Sequence, residues 1–322
     1  MNIKSSYILK GIFENLSTKK YLEIIHYNKA LQKRLNIDID DYKKEFFNDD
    51  KIIIEIIPMQ YTKAQIINLN EKYQTYCHVF FNGSKEETKR KNITKSEKIS
   101  KIKLIIDNEI KNMSQLFRDR NYIKKINFIK FNRKDFDDMN GMFFGCSLLE
   151  EIKFSFFNTS NVTDMSSMFR DCSKLKELDL SSFNTEKVTN MFGMFYGCTS
   201  LYKLNISNFN TGEVYDMGFM FSECKSLKEL NIFNFNTNKV IYLRLMFFGC
   251  SSLIELNLSN FNIEKVTNMV YLFKGYSSLK VLNIPNFKSI ESTDMEEMFE
   301  GCLSLKEINC SNEIIKNKFN NR

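Results

Sequence analysis

Apolar side chains return to the same places every 26 residues from about residue 113 onward. The segment SSMFRDCSKLKELDL at 166–180 is answered by FGMFYGCTSLYKLNI at 192–206 and by GFMFSECKSLKELNI at 218–232. One column reads Met113, Met139, Met165, Met191, Met217, Leu243, Met269, Met295; four residues on stand Phe117, Phe143, Phe169, Phe195, Phe221, Phe247, Phe273, Phe299. Two local patterns alternate within each unit. In LKELDL from Leu175, Leu178 and Leu180 share one face of a short strand while Glu177, Asp179 and Ser181 share the other. Val162, Met165, Phe169 and Cys172 are spaced by three, four and three residues, which predicts a short helix with all four on one face. Thr163 or Asp164 would cap its start, and Gly197, Gly249, Gly275 and Gly301 stand where a helix end takes a left-handed residue.

One strand and one helical turn cannot enclose a core. Stacked, the Leu, Met and Phe columns become continuous ridges, and each strand adds to a parallel sheet along the stacking axis. A buried Leu or Phe contributes roughly 1.5–3 kcal/mol, a gain realised only when neighbouring coils cover both faces. The expected architecture is therefore an α/β solenoid of about eight 26-residue coils over residues 113–322, parallel strands alternating with short helices.

The form LxxLxL with a regularly placed cysteine resembles a leucine-rich repeat, and FNTSNVTDMSSMFRDCSKLKELDLSSFNT is similar to the 26-residue repeats of BspA-like surface proteins. The resemblance covers about residues 113–312. It implies a right-handed solenoid used for adhesion or protein contact. Such surface proteins usually carry an export signal, and the amphipathic start MNIKSSYILKGIFENL has no signal-like apolar core. The expected setting is the cytoplasm, with a cell-surface adhesin as the alternative.

Residues 1–112 have no such period. Residues 1–48 read as a helical module, with Ile8, Leu9, Ile12, Phe13 and Leu16 on one face. The stretch YILKGIFENLSTKKYLEIIHYNKAL resembles an F-box, without its leading Leu-Pro and later Trp. That likeness implies a Skp1-like adaptor as partner and a substrate-receptor role in a ubiquitin ligase; the other reading of the same residues is a capping module. Residues 49–112 are expected to be a β-rich cap or linker, with strands at KIIIEIIP, TYCHVFF and KIKLIID.

Charge adds little to this picture. The first 112 residues hold 21 Lys+Arg against 15 Asp+Glu, and the rest is nearly balanced at 25 against 24. The basic run KEETKRKNITKSEKISKIK at 85–103 has acids interleaved and no aromatic platform, so no nucleic-acid partner is expected. No segment reaches the apolar length of a membrane span. Six of the eight cysteines stand in the repeat register, Cys146, Cys172, Cys198, Cys224, Cys250 and Cys302, with Tyr276 in the remaining slot. One cysteine per coil, with parallel Cβ vectors, suits a buried thiol column and not a disulfide framework or zinc site.

Catalytic chemistry has little to stand on. The two histidines, His26 and His78, sit in helical and strand patterns; Cys77 and His78 would point to opposite faces of their strand. NGSK at 82–85 lacks the spacing of a phosphate loop. No enzyme activity, cofactor or metal is expected. The outward strand positions carry the functional expectation: Glu177, Asp179, Asn205, Glu229, Asn231, Phe233, Glu255 and Asn257 would form a concave strand face that binds a protein with a basic surface, Phe233 acting as an apolar anchor among serines.

Overall fold

The computed structural model describes residues 51–322 apart from 61, 62, 70, 132, 156 and 289–292. The helical module and F-box likeness expected over 1–48 lie outside the described residues. The chain opens with β1 (Ile52–Pro58), β2 (Ala64–Gln65), a single helical turn α1 (Glu71–Gln74), β3 (Cys77–Phe81), β4 (Asn92–Ile93) and β5 (Ile102–Ile106). Isoleucines alternate along β1, so Ile52, Ile54 and Ile56 are buried and their neighbours half-exposed. β1 runs antiparallel between β5 and β6 (Ile123–Lys130), which is the strand of the first coil. With β3 at one edge and β7 (Glu151–Phe154) at the other, these strands make one five-stranded sheet in the order β3-β5-β1-β6-β7. It joins the leading residues to the repeats through the shared apolar layer of Ile54, Leu104, Ile126 and Phe128.

The repeats form a β-solenoid of about seven turns. Their remaining strands are β8 (Glu177–Asp179), β9 (Lys203–Asn205), β10 (Glu255–Asn257), β11 (Val281–Asn283) and β12 (Glu307–Asn309), followed by the helix α2 (Glu313–Asn320). Successive coils pair in parallel and in register, as Glu177 with Lys203 and Asn257 with Asn283.

The short helix expected in each coil does not form. Over 165–172 the chain makes consecutive turns, with N–H groups of Met168, Arg170 and Cys172 donating three residues back at 3.3, 3.1 and 3.1 Å. The intervening N–H groups of Met165, Ser167, Phe169 and Asp171 donate instead to the carbonyls of Asn190, Phe192, Met194 and Tyr196 in the next coil, at 2.7–3.1 Å. This division requires positive φ at two sites four residues apart, Ser167 (54°) and Asp171 (59°), as at Gly193 (58°) and Gly197 (71°) in the coil that follows. An α-helix tolerates neither. The 3-4-3 spacing nevertheless brings the expected residues inward, since Val162, Met165, Phe169 and Cys172 are all buried, with Met168 beside them.

The interior columns are continuous. Eight phenylalanine rings from Phe117 to Phe299 stack at centroid distances of 5.5–6.0 Å. Each repeat cysteine is buried and its thiol donates to the carbonyl of the stacked phenylalanine one coil before, as Cys172 Sγ to Phe143 O at 3.2 Å and Cys250 Sγ to Phe221 O at 3.0 Å. Burial raises these thiols, Cys302 to about 11 and Cys146 to about 12. The recurring Phe-Asn-Thr is a clasp: Thr159 Oγ1 donates to Asn184 O at 2.8 Å and accepts from Asn184 N at 2.8 Å, and Thr185 repeats this with Asn210. At the far end Asn312 caps α2, whose buried Ile315 and Phe319 close the last coil, Phe319 meeting Phe299 edge-on at 5.6 Å.

Three outcomes follow from this packing. A Cβ at Gly197 would lie 2.3 Å from Asp171 Oδ1, at a positive φ that disfavours side chains; Gly197→Ala should lower stability by about 1–2 kcal/mol, and chemical denaturation should show part of that loss restored in an Asp171→Gly background. Tyr276, in the cysteine column, buries a hydroxyl with no partner among the described residues; Tyr276→Phe should raise stability by about 1 kcal/mol, read as a higher melting temperature. In the leading sheet His78 bonds Asp107 at 2.8 Å and Glu87 at 3.0 Å. The bond to Asp107 foremost raises the imidazole above its usual value, partial burial opposing and Glu87 assisting. A raised folded value means that this stabilisation is complete below the unfolded histidine value of about 6.5 and is lost as pH climbs through the folded one. His78→Gln should remove that slope from stability-against-pH curves.

Candidate interaction surface

The two sides of the solenoid are held together differently, and the difference locates the surface. On the turn side, inter-coil N–H···O bonds run unbroken through every coil from Gln115 to Gly275. On the strand side, pairing comes in blocks: β6 with β7, β8 with β9, and β10 with β11 and β12. The corresponding stretch of the fifth coil, Lys228–Asn231, makes no main-chain hydrogen bond to either neighbouring coil among the described residues. Its apolar anchors hold it in place all the same, with Leu227, Ile232 and Phe235 buried.

All eight expected surface residues project outward from this side. Seven are exposed and Asn205 is half-buried. Their electrostatic states divide the face in two. In the third and fourth coils Glu177 accepts from Tyr202 at 2.5 Å and pairs with Lys203 at 3.4 Å, while Asp179 accepts from Asn205 at 2.9 Å. The Tyr202 hydroxyl first, and Lys203 second, hold the Glu177 carboxyl below its usual range, and the Tyr202 phenol is raised in return. These groups have found one another. The asparagines of the last coils form a ladder of their own, Asn283 donating to Asn257 at 3.0 Å and Asn309 to Asn283 at 2.6 Å. Asn231 stands outside it and, among the described residues, its side chain accepts only from the Phe233 N–H, at 3.2 Å.

Between those halves lie Glu229 and Glu255, whose carboxylates have no ion pair or hydrogen bond among the described residues. Phe233 stands beside them, 72% exposed, in a column whose other members include Ser181, Ser207 and Ser259. Ile254 and Val281 are also exposed, at 46% and 52%. The centre of the strand face thus combines two uncompensated carboxylates, a projecting ring and main-chain groups that pair with no neighbour.

A second ordered surface escaped the sequence reading. On the turn side cations alternate with rings: Arg118 lies 4.3 Å from the Phe144 centroid, Arg170 5.3 Å from Phe144 and 4.3 Å from Tyr196, and Arg244 5.0 Å from Tyr242. The signal was available in the period, since Arg118, Phe144, Arg170 and Tyr196 occupy one column. Asp119 and Asp171 approach Arg118 and Arg170 at 3.5 Å, so this row is largely satisfied within the chain.

Cys77 and His78 take opposite faces of β3, the thiol buried and raised to about 12 by desolvation, the imidazole turned to Asp107 and Glu87. No group of three or more His, Cys, Asp or Glu side chains among the described residues is placed to hold a metal ion. No helix among them is long and apolar enough to cross a membrane.

No curated protein and no solved structure matches the chain. A family model does, over residues 111–231 and again over 219–317, the stretch that forms the stacked coils and well over half of the sequence. The chain therefore belongs to the family described as "Mycoplasma protein of unknown function, DUF285".

Proposed function

We propose that this protein is a non-enzymatic scaffold whose strand face recognises a protein partner carrying Lys or Arg, with Phe233 as the apolar anchor. A repeat solenoid supplies rigid area, and the LxxLxL units use it as leucine-rich repeats do, packing apolar residues inward and offering alternate side chains outward. The observation that carries the proposal is the cluster at the fifth and sixth coils. Phe233 is 72% exposed where the architecture gives a large ring no packing role, and Glu229 and Glu255 beside it remain without internal partners. An aromatic anchor ringed by charge is the composition of an interface centre.

Affinity purification from the native cell should recover a partner that binds the wild-type protein directly. Against that partner Phe233→Ala should weaken binding by about 1–3 kcal/mol. Glu229→Lys with Glu255→Lys should slow association and flatten its salt dependence. None of these changes should move the melting temperature, because the side chains are exposed. Affinity unchanged in both variants would discard this surface.

A further inference from the structure

The bonds that join the coils have a direction. In each coil a row of main-chain N–H groups points toward the following coil: Met269, Tyr271, Phe273 and Gly275 donate to Asp294, Glu296, Met298 and Glu300 at 2.8, 3.0, 3.0 and 2.7 Å. The equivalent donors of the last coil are Met295, Glu297, Phe299 and Gly301, and none has an acceptor among the described residues. The chain does not form another coil here but passes through β12 into α2. Ile315 and Phe319 cover the apolar centre, and a cleft of about 540 Å³ remains between α2 and the donor row. Glu297, Phe299 and Glu300 line one wall, and Asn317, Lys318 and Arg322 the other.

The chemistry of this edge limits what can fill it. A two-fold contact between copies would set donors against donors. A head-to-tail contact would need the acceptor row of the first coil, Asn112, Ser114, Leu116 and Arg118, where the Leu116 carbonyl, the one that Phe299 would require, is already taken by Asn68 N at 2.8 Å. A second copy therefore cannot complete the row in either orientation. Charge narrows the choice further: Glu297 and Glu300 are both engaged by Lys274, and Arg322 donates to the carbonyls of Phe319 and Leu305. Lys318 lines the cleft with no internal partner among the described residues.

We propose that this cleft receives an extended acidic peptide segment of a partner protein. Its main-chain carbonyls at every second residue accept from Glu297, Phe299 and Gly301, and a carboxylate meets Lys318. The mode is edge addition, here on a row of turns and not on a strand. It is independent of the strand face proposed above, and the two fail separately.

The probe is a fluorescent peptide TDMEEMFEG, the sequence of residues 293–301, whose carbonyls already satisfy the equivalent row of the preceding coil. Titrated against the full chain, it should bind saturably, whereas a scrambled peptide of the same composition should not. Hydrogen exchange should slow at the amides of Glu297, Phe299 and Gly301. Lys318→Glu should weaken binding about fivefold or more, the loss of one charge-assisted contact, and Asn317→Trp, which fills the cleft, should abolish it. Phe233→Ala should bind the peptide as the wild type does. No saturation up to about 1 mM, the weak limit of specific affinity, would overturn the proposal. So would protection at other amides, undiminished binding by Asn317→Trp, or equal binding of the scrambled peptide. Were either cleft variant to unfold, the exchange pattern in the wild-type chain would still decide.

Discussion

The architecture depends on a row of main-chain bonds that no side-chain pattern displays directly. Alternate N–H groups of each turn segment point along the stacking axis and find the carbonyls of the next coil, while those between close turns within the coil. From Gln115 to Gly275 the alternate main-chain N–H groups on that side are thereby paired without a helix. The cost is local: Ser167, Asp171, Phe219, Leu245 and Tyr271, among others, hold a left-handed backbone that disfavours side chains by roughly 1–2 kcal/mol each. The continuous phenylalanine stack and the bonds between coils offset it, which is why such strain is tolerated in a tandem array and would not be in an isolated segment.

That geometry explains what was legible beforehand. The period, the inward columns and the buried thiols follow from counting, because any stacked coil places equivalent residues in equivalent surroundings. Cys172 is buried whether its segment is a helix or a chain of turns. The local conformation was not legible from the spacing of apolar residues, since Met165, Met168, Phe169 and Cys172 suit both. The deciding letters are Gly141 and Gly193, which lie in the middle of the supposed helix and take φ of 56° and 58°. Read with Gly145 and Gly197 four residues later, they mark two left-handed sites per coil, whereas the latter pair alone resembles a helix end.

The outward residues were legible as a face but not as a site. Alternation places Glu177, Asp179, Glu229 and Glu255 on one surface, yet only the packed coils show that Tyr202, one residue before its strand, reaches back to hydrogen-bond Glu177. The same letter in two coils ends in different electrical states: Glu177 is engaged, and Glu229 is not. Period-based reading averages over such differences, because a column treats its members as equivalent and the lateral neighbour that distinguishes them belongs to another column.

With the coils tied together along the turn side, the strand side is relieved of structural duty. Three short blocks of pairing suffice there, and the fifth coil leaves Lys228–Asn231 unpaired on both flanks among the described residues without losing its inward anchors Leu227 and Ile232. Side chains on that side can then change without a penalty to folding, as the replacement of serine by Phe233 and of glutamate by Val281 in otherwise regular columns illustrates. The spine pays for this freedom with sameness: its Met, Phe and Cys columns barely vary from coil to coil. A chain built this way concentrates its structural constraint on one flank and its chemical variety on the other, and that division is the physical ground for the recognition role proposed for the strand face.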